Sequence, residues 1–172
     1  MIFKELTEIE KAKLHTAFEE LLRLCDKEFV PPLSSRASTT QSELRPAQEH
    51  RGIEAYCAAM LEQEVLCALD GDKLLGFVSY RKDHTCDEIS DDQLPNIYIS
   101  TLIVSPCARG QGLTKQMYEI IFKKHSDRKI FTRTWSENHA HIAILKKFGF
   151  REHIRKKNDR GDGIDTVYFT LR

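Results

Sequence analysis

No stretch of eighteen apolar residues occurs in the sequence, so no segment reads as a membrane-spanning helix. The first residues, MIFKELTEIEK, are charged and helix-forming, without the apolar centre of a secretory signal. Net charge is missing as well: 26 Lys and Arg balance 26 Asp and Glu over 172 residues. A generic nucleic-acid binder needs a basic excess to displace counterions, and that class is set aside. Paired cysteines are also wanting. Cys25, Cys57, Cys67, Cys86 and Cys107 are odd in number and none stands in a Cys-x-x-Cys pair, which argues against a disulfide framework or a cysteine zinc site. Cys25, Cys57 and Cys67 fall in apolar-periodic segments, where a reduced thiol packs as a small hydrophobe. The expectation is a reduced, cytoplasmic, soluble chain with neither membrane nor nucleic acid as partner.

What is present is a globular composition, 41% hydrophobic and 30% charged, in a length that suits one domain spanning residues 1–172. The zero charge conceals a split. Residues 1–95 carry 11 Lys and Arg against 19 Asp and Glu, net −8, and residues 96–172 carry 15 against 7, net +8.

Periodicity supplies the elements. Ile2–Leu6 reads as a strand, and Thr7 with Glu10 forms a capping box for a helix running to about Lys27. Pro31, Pro32 and a Ser/Thr run then favour loop. A second helix is expected from Pro46, with Ile53, Tyr56, Cys57, Met60 and Leu61 inward. VLCALD and KLLGFVSYRK read as a hairpin turning at Gly71, followed by an acidic loop with five carboxylates between Asp83 and Asp92. NIYISTLIV is a central strand, LTKQMYEIIFKK a helix, KIFTRTW a strand, and SENHAHIAILKKFGF a helix ended at Gly149. REHIRKKN and IDTVYFTLR close the chain as a hairpin. The order β-α-α-β-β-β-α-β-α-β-β predicts an α+β fold with a mixed central sheet flanked by helices.

The strongest local signal is SPCARGQGLT at 105–114, between strand and helix. Gly110 and Gly112 allow a tight turn that brings backbone N–H groups to a ligand, the helix adds its unpaired first-turn donors, and Arg109 adds a cation. This is a cradle for a phosphate or pyrophosphate. It is not a P-loop, because Gly112-Leu-Thr-Lys stands where Gly-Lys-Ser/Thr is needed. Nor is it a dinucleotide fingerprint, because Lys115 holds the third glycine's place.

Val104, Pro106, Arg109, Gly110 and Gly112 before an amphipathic helix resemble the acetyl-CoA signature of the GNAT N-acetyltransferase family. Asn138, Ile142, Ile144, Lys147, Gly149 and Phe150 resemble its later helix ending in Gly-Phe, and the likeness covers essentially the whole chain. The resemblance implies the acyl-CoA N-acyltransferase fold, with acetyl-CoA as co-substrate. It implies that Leu102, Ile103 and Val104 pair with the pantetheine arm. The N–H groups of Gly110, Gln111, Gly112, Leu113 and Thr114 would hold the pyrophosphate, and Asn138 would line the other side. Direct acetyl transfer to an amine is implied in turn, with a strand N–H near Leu102 stabilising the tetrahedral intermediate.

Three positions depart from the family pattern. Thr114 replaces a usual Gly or Ala, crowding the diphosphate or adding a hydroxyl donor. Leu145 stands where a tyrosine often protonates the departing thiolate; leucine packs instead, and Tyr118, Ser136 or water would take that role. No carboxylate stands on the fourth strand as general base. Tyr98, which alternation places with Ser100 and Leu102, is the nominated catalytic residue, for water relay or substrate contact, against a reading as sheet packing. His139 and His141 point in different directions on their helix and read as surface or capping residues, and DRGDG reads as a turn, so no metal site is expected.

The resemblance frames the acceptor with the segments FVPPLSSRAST and KKNDRGDG. With the acidic loop near that side, the charge split favours a cationic small-molecule amine. A protein lysine or N-terminus as acceptor, a catalytically weakened acyl-CoA-binding module, and assembly as a homodimer remain open at this point.

Overall fold

The computed structural model describes residues 1–44 and 51–172. Its elements are β1 (Ile2–Glu5), α1 (Glu8–Cys25), α2 (Ile53–Leu61), β2 (Glu64–Asp70), β3 (Lys73–Lys82), β4 (Asn96–Val104), α3 (Leu113–Lys124), β5 (Lys129–Trp135), α4 (His139–Lys147), β6 (Arg151–Lys156) and β7 (Thr166–Leu171). This is the expected order. The start of the second helix, placed at Pro46 from sequence, lies outside the described residues, and the helix is seen from Ile53. At the head of α1 the Glu10 N–H donates to the Thr7 hydroxyl at 3.4 Å while the Thr7 N–H donates to the Glu10 carboxylate at 3.0 Å, the reciprocal cap that the spacing predicts.

The strands form one sheet in the order β1-β2-β3-β4-β5-β7-β6, antiparallel throughout except between β4 and β5. Helices cover both faces. On one, Phe18, Leu22, Tyr56 and Cys57 of α1 and α2 pack on Val65, Phe77 and Ile103. On the other, Met117 and Ile121 of α3 with Leu145 of α4 pack on Leu66, Val78 and Ile99. Both faces of the central strands are therefore apolar, which is why they read as nearly continuous hydrophobic runs. All five cysteines are free, and burial pushes the Cys57 and Cys67 thiols up to about 12. Among the described residues no helix is long and apolar enough to cross a membrane.

Two irregularities disturb the middle of the sheet. The parallel pairing of β4 with β5 ends at Ile99 opposite Thr132, whose hydroxyl donates to the Ile99 carbonyl at 3.0 Å. Beyond that point the strands part. In the same place β4 bulges: Tyr80 faces Ile99 and Ser79 faces Thr101, leaving Ser100 as the extra residue. The Ser100 hydroxyl donates to Gln63 Oε1 at 2.7 Å, and Gln63 Nε2 donates to the Thr39 hydroxyl at 2.7 Å, so a buried polar chain holds the bulge.

The bulge resets the alternation. Ile99 and Leu102, three apart, share the α3–α4 face, and Tyr98 falls on the opposite side. A strict period of two places Tyr98 with Ser100 and Leu102; one inserted residue reverses that.

Candidate functional site

The parting of β4 and β5 opens a cavity of about 900 Å³. Its walls are the diverging halves of the two strands, the loop ahead of α3, the first turn of α3, one side of α4 along its length, the segment after α1, and Arg160. Of the residues singled out from sequence, Leu102, Ile103, Val104, Arg109, Gly110, Gly112, Leu113, Thr114 and Asn138 all line it. Gln111 does not; it lies exposed on the same loop.

Gly110 and Gly112 sit at φ +77° and +74°, in the left-handed region that costs a side chain strain. Gly112 is the N-cap of α3. Among the described residues the N–H groups of 110–115 donate to no protein acceptor, the first helical bond of this turn being Gln116 N–H to the Gly112 carbonyl at 3.1 Å. Six consecutive donors without a protein partner among the described residues thus stand at the positive end of a helix, and five of their residues, all but Gln111, line the cavity, which fits a diphosphate. Lys115 and Lys147 add cations to that wall. Arg109 is spent otherwise: its guanidinium pairs with Glu28 at 2.8 Å and donates to the Val104 carbonyl at 3.2 Å. It clamps the end of β4 to the segment after α1, where sequence reading gave it as a fixed cation of the anion cradle.

On α4 the Asn138 side chain caps the helix by accepting from the His141 N–H at 3.3 Å, and it donates to the Thr134 hydroxyl at 3.0 Å. His141 is half-buried rather than a free surface residue. It lines the cavity, and its Nε2 meets the Tyr118 hydroxyl at 2.8 Å behind the wall. Burial drives the imidazole down to about 4 and the Tyr118 phenol up, so both are neutral at physiological pH. Leu145 is fully buried among the sheet and α3 and has no proton to give.

The protonation of His141 sets a stability prediction. Its folded value lies below the unfolded value of about 6.5, so below that pH the unfolded chain takes a proton that the fold refuses. Stability is complete above pH 6.5 and declines toward pH 4, by about 2 kcal/mol for this residue once the water at its cavity face is allowed for. Urea midpoints at pH 7 and pH 4.5 should move less in His141→Gln than in the parent. His84 and His125, also held down by burial, contribute equally to both.

Tyr98 is not on the cavity. Its ring packs with Ile89, Phe131 and Tyr168, and burial raises its phenol. The bulge puts it on the face of Thr101 and Ile103 rather than of Leu102, and it is the packing of Ile89, Phe131 and Tyr168 around its ring that keeps it off the cavity. Nor is the acidic loop on the cavity: Glu88 pairs with Lys156 at 2.9 Å and Asp83 with Arg128 at 2.6 Å. Among the described residues the one carboxylate of the wall is Glu28, tied to Arg109. The two segments expected to frame an acceptor do meet there, contributing Phe29, Arg36, Thr39 and Arg160. Pro31, Pro32 and Leu33 stay off the wall.

A mixed sheet that parts between two parallel strands beside a glycine-turned helix N-terminus defines an acyl-CoA acyltransferase architecture. The model of the acetyltransferase (GNAT) family matches residues 18–150, and the chain belongs to that family. No curated protein sequence matches. Solved structures share the fold at low identity. An aminoglycoside 6′-N-acetyltransferase complexed with coenzyme A superposes with a TM-score of 0.69 at 14% identity, over 99% of this chain and 96% of that one. A ribosomal-protein-alanine N-acetyltransferase from Brucella melitensis gives 0.64 at 15%, over 99% of both chains. An N-acetyltransferase from Staphylococcus aureus Mu50 gives 0.67 at 15%, over 99% and 96%.

Proposed function

We propose that the chain transfers an acetyl group from acetyl-CoA to the primary amine of a small molecule. The observation that carries this is the parting of β4 from β5 at Ile99 and Thr132, into a cavity lined at one end by Gly110, Gly112, Leu113, Thr114 and Lys115, whose N–H groups have no protein acceptor among the described residues. Residues 110–114 would hold the diphosphate, residues 102–104 would offer strand hydrogen bonds to the pantetheine amides, and Asn138 would close the far side. The neutral amine nitrogen attacks the thioester carbonyl, whose oxygen accepts a hydrogen bond from a β4 N–H near Leu102. The C–S bond breaks, and the proton that the nitrogen loses passes through water to the thiolate, leaving the amide and free CoA. A thiol of pKa about 8.5 leaves without an acid, so a buried Leu145 is compatible with turnover. The coenzyme-A complex of a protein with the same fold supports the co-substrate, and the family supports the reaction class.

The test is thiol release from acetyl-CoA across a panel of small amines, beside a calorimetric titration of acetyl-CoA. Amine-dependent release supports the proposal. Saturable acetyl-CoA binding with no release on any amine or peptide overturns it in favour of an acyl-CoA-binding module.

A further inference from the structure

Three arginines line the acceptor end of the cavity, and none has a carboxylate within 4 Å among the described residues. Arg36 and Arg160 are 6% and 2% exposed, and Arg133 comes from the middle of β5. Their protein partners are neutral. Arg36 donates to the Pro31 carbonyl at 2.8 Å and 3.1 Å. Arg133 donates to the Tyr168 hydroxyl at 3.1 Å and the Gln41 carbonyl at 2.7 Å. Arg160 donates to the Thr166 hydroxyl at 3.0 Å and the Val30 carbonyl at 2.7 Å. Aromatic faces complete the surroundings: Phe29 lies 5.6 Å from Arg36, Tyr168 5.9 Å from Arg133 and Trp135 5.8 Å from Arg160.

Carboxylates reach the arginines only indirectly. Asp26 accepts from the Ser34 N–H and hydroxyl and acts on Arg36 at a distance. Asp159 accepts from the same Thr166 hydroxyl to which Arg160 donates and offsets part of that charge, while also lying 3.6 Å from Lys156. The cations repel one another: burial, then Arg36 and Arg133, push the Arg160 guanidinium down to about 9. Arg133 is half-buried and held charged by its tyrosine neighbours. Arg36 and Arg160 are buried with no carboxylate in direct contact among the described residues, and three charges of one sign beside a cavity are an arrangement that an anion relieves. Guanidinium groups suit carboxylate and phosphate oxygens, which their forked donors match. Nη1 of Arg36 and Nη2 of Arg160 donate to no protein acceptor among the described residues.

Resting on the acetyltransferase reading, we infer that Arg36, Arg133 and Arg160 bind an oxyanion of the acceptor, so that the acceptor is an amine bearing a carboxylate or phosphate group. The cationic amine that the charge split favoured has no carboxylate to meet at this end except Glu28. The triad is separate from the diphosphate cradle: Arg133 lies on the strand face of Phe131 and Trp135, covered by the segment after α1, whereas α3 and α4 pack on the other face.

Trp135, the only tryptophan, reports on the triad directly. Its fluorescence is titrated with matched probes: an amino acid, its carboxamide and the amine lacking the carboxyl group, then phosphoethanolamine and ethanolamine. In parallel, thiol release is measured on the same five. Binding and kcat/KM at least tenfold better for an anionic member than for its neutral or cationic partner support the proposal, and the preferred arm tells carboxylate from phosphate. Arg160→Gln should abolish that preference while leaving acetyl-CoA affinity within about twofold. The parent panel decides the matter even where that variant folds poorly. Equal or better binding of the carboxamide and the plain amines overturns the proposal, and thiol release on them keeps the acetyltransferase reading. Loss of acetyl-CoA affinity in Arg160→Gln equal to the loss of acceptor binding assigns the triad to the co-substrate and also overturns it. Selective anion binding without thiol release from any amine sinks the acetyltransferase reading and leaves the anion site standing.

Discussion

Replacing Thr114 by Glu should weaken acetyl-CoA binding by about 100-fold without unfolding the protein. Thr114 lines the cavity on the first turn of α3, two residues past the N-cap Gly112. An acidic side chain there favours the helix, by about 0.3–1 kcal/mol, because it meets the positive end of the helix dipole. The same carboxylate stands against the diphosphate. Two like charges about 5 Å apart at an effective dielectric near 20 repel by about 3 kcal/mol, which is about two decades of affinity. Stability and affinity should therefore move in opposite directions. Thermal melts and calorimetric titration of acetyl-CoA read the two separately, and Thr114→Ala, which adds no charge, should stay within about threefold of the parent. Normal binding in Thr114→Glu would place the phosphates elsewhere.

Gly76→Ala should lower stability by about 2–3 kcal/mol and acetyl-CoA affinity with it. Gly76 pairs with Val104 across β3 and β4, and a Cβ there would lie 2.7 Å from the Ile103 carbonyl oxygen and 3.2 Å from the Val104 Cα. Those are backbone atoms, which yield only if the strand moves, and overpacking of that kind costs about 1–3 kcal/mol. For a chain of this size the melting temperature should fall by about 5–10 °C. The displaced strand is the one that parts from β5, so residues 102–104 shift out of register with the cavity. Gly71→Asn is the control. It occupies a hairpin turn at φ +59° with open space around it, and its melting temperature should change little.

The fold was legible wherever one physical cause acts alone. Thr7 and Glu10 announce α1, Gly110 and Gly112 announce the turn before α3, and the change of hydrophobic period from helix to strand orders the rest. The site was legible along the loop, because its chemistry is local in sequence. What escaped depends on distant partners. Ser100 becomes a bulge where Ser79 and Gln63 hold its hydroxyl, Gln63 being held in turn by Thr39, and no pattern within β4 records that; Tyr98 was misplaced as a result. The arginine triad joins three separate segments, so no window contains it. One trace of it was available: in KIFTRTW, alternation puts Arg133 on the face of Phe131 and Trp135, and a cation between two inward aromatics signals a buried charge. For His141 the signal was its spacing from Asn138 and Ile144, three residues either way, which places all three on one helix face. The net charges of the sequence halves say little about the cavity, for the opposite reason. They count solvated carboxylates such as Asp91 and Asp92, whereas the field at the cavity comes from a few buried groups.

A crystal structure of the protein with acetyl-CoA would show where the co-substrate lies. The expected result has the diphosphate against the N–H groups of residues 110–114, the pantetheine arm between the parted strands beside Leu102–Val104, and the thioester facing the arginine side of the cavity. Acetyl-CoA bound outside the parting of β4 and β5, or with its diphosphate away from the head of α3, would contradict it.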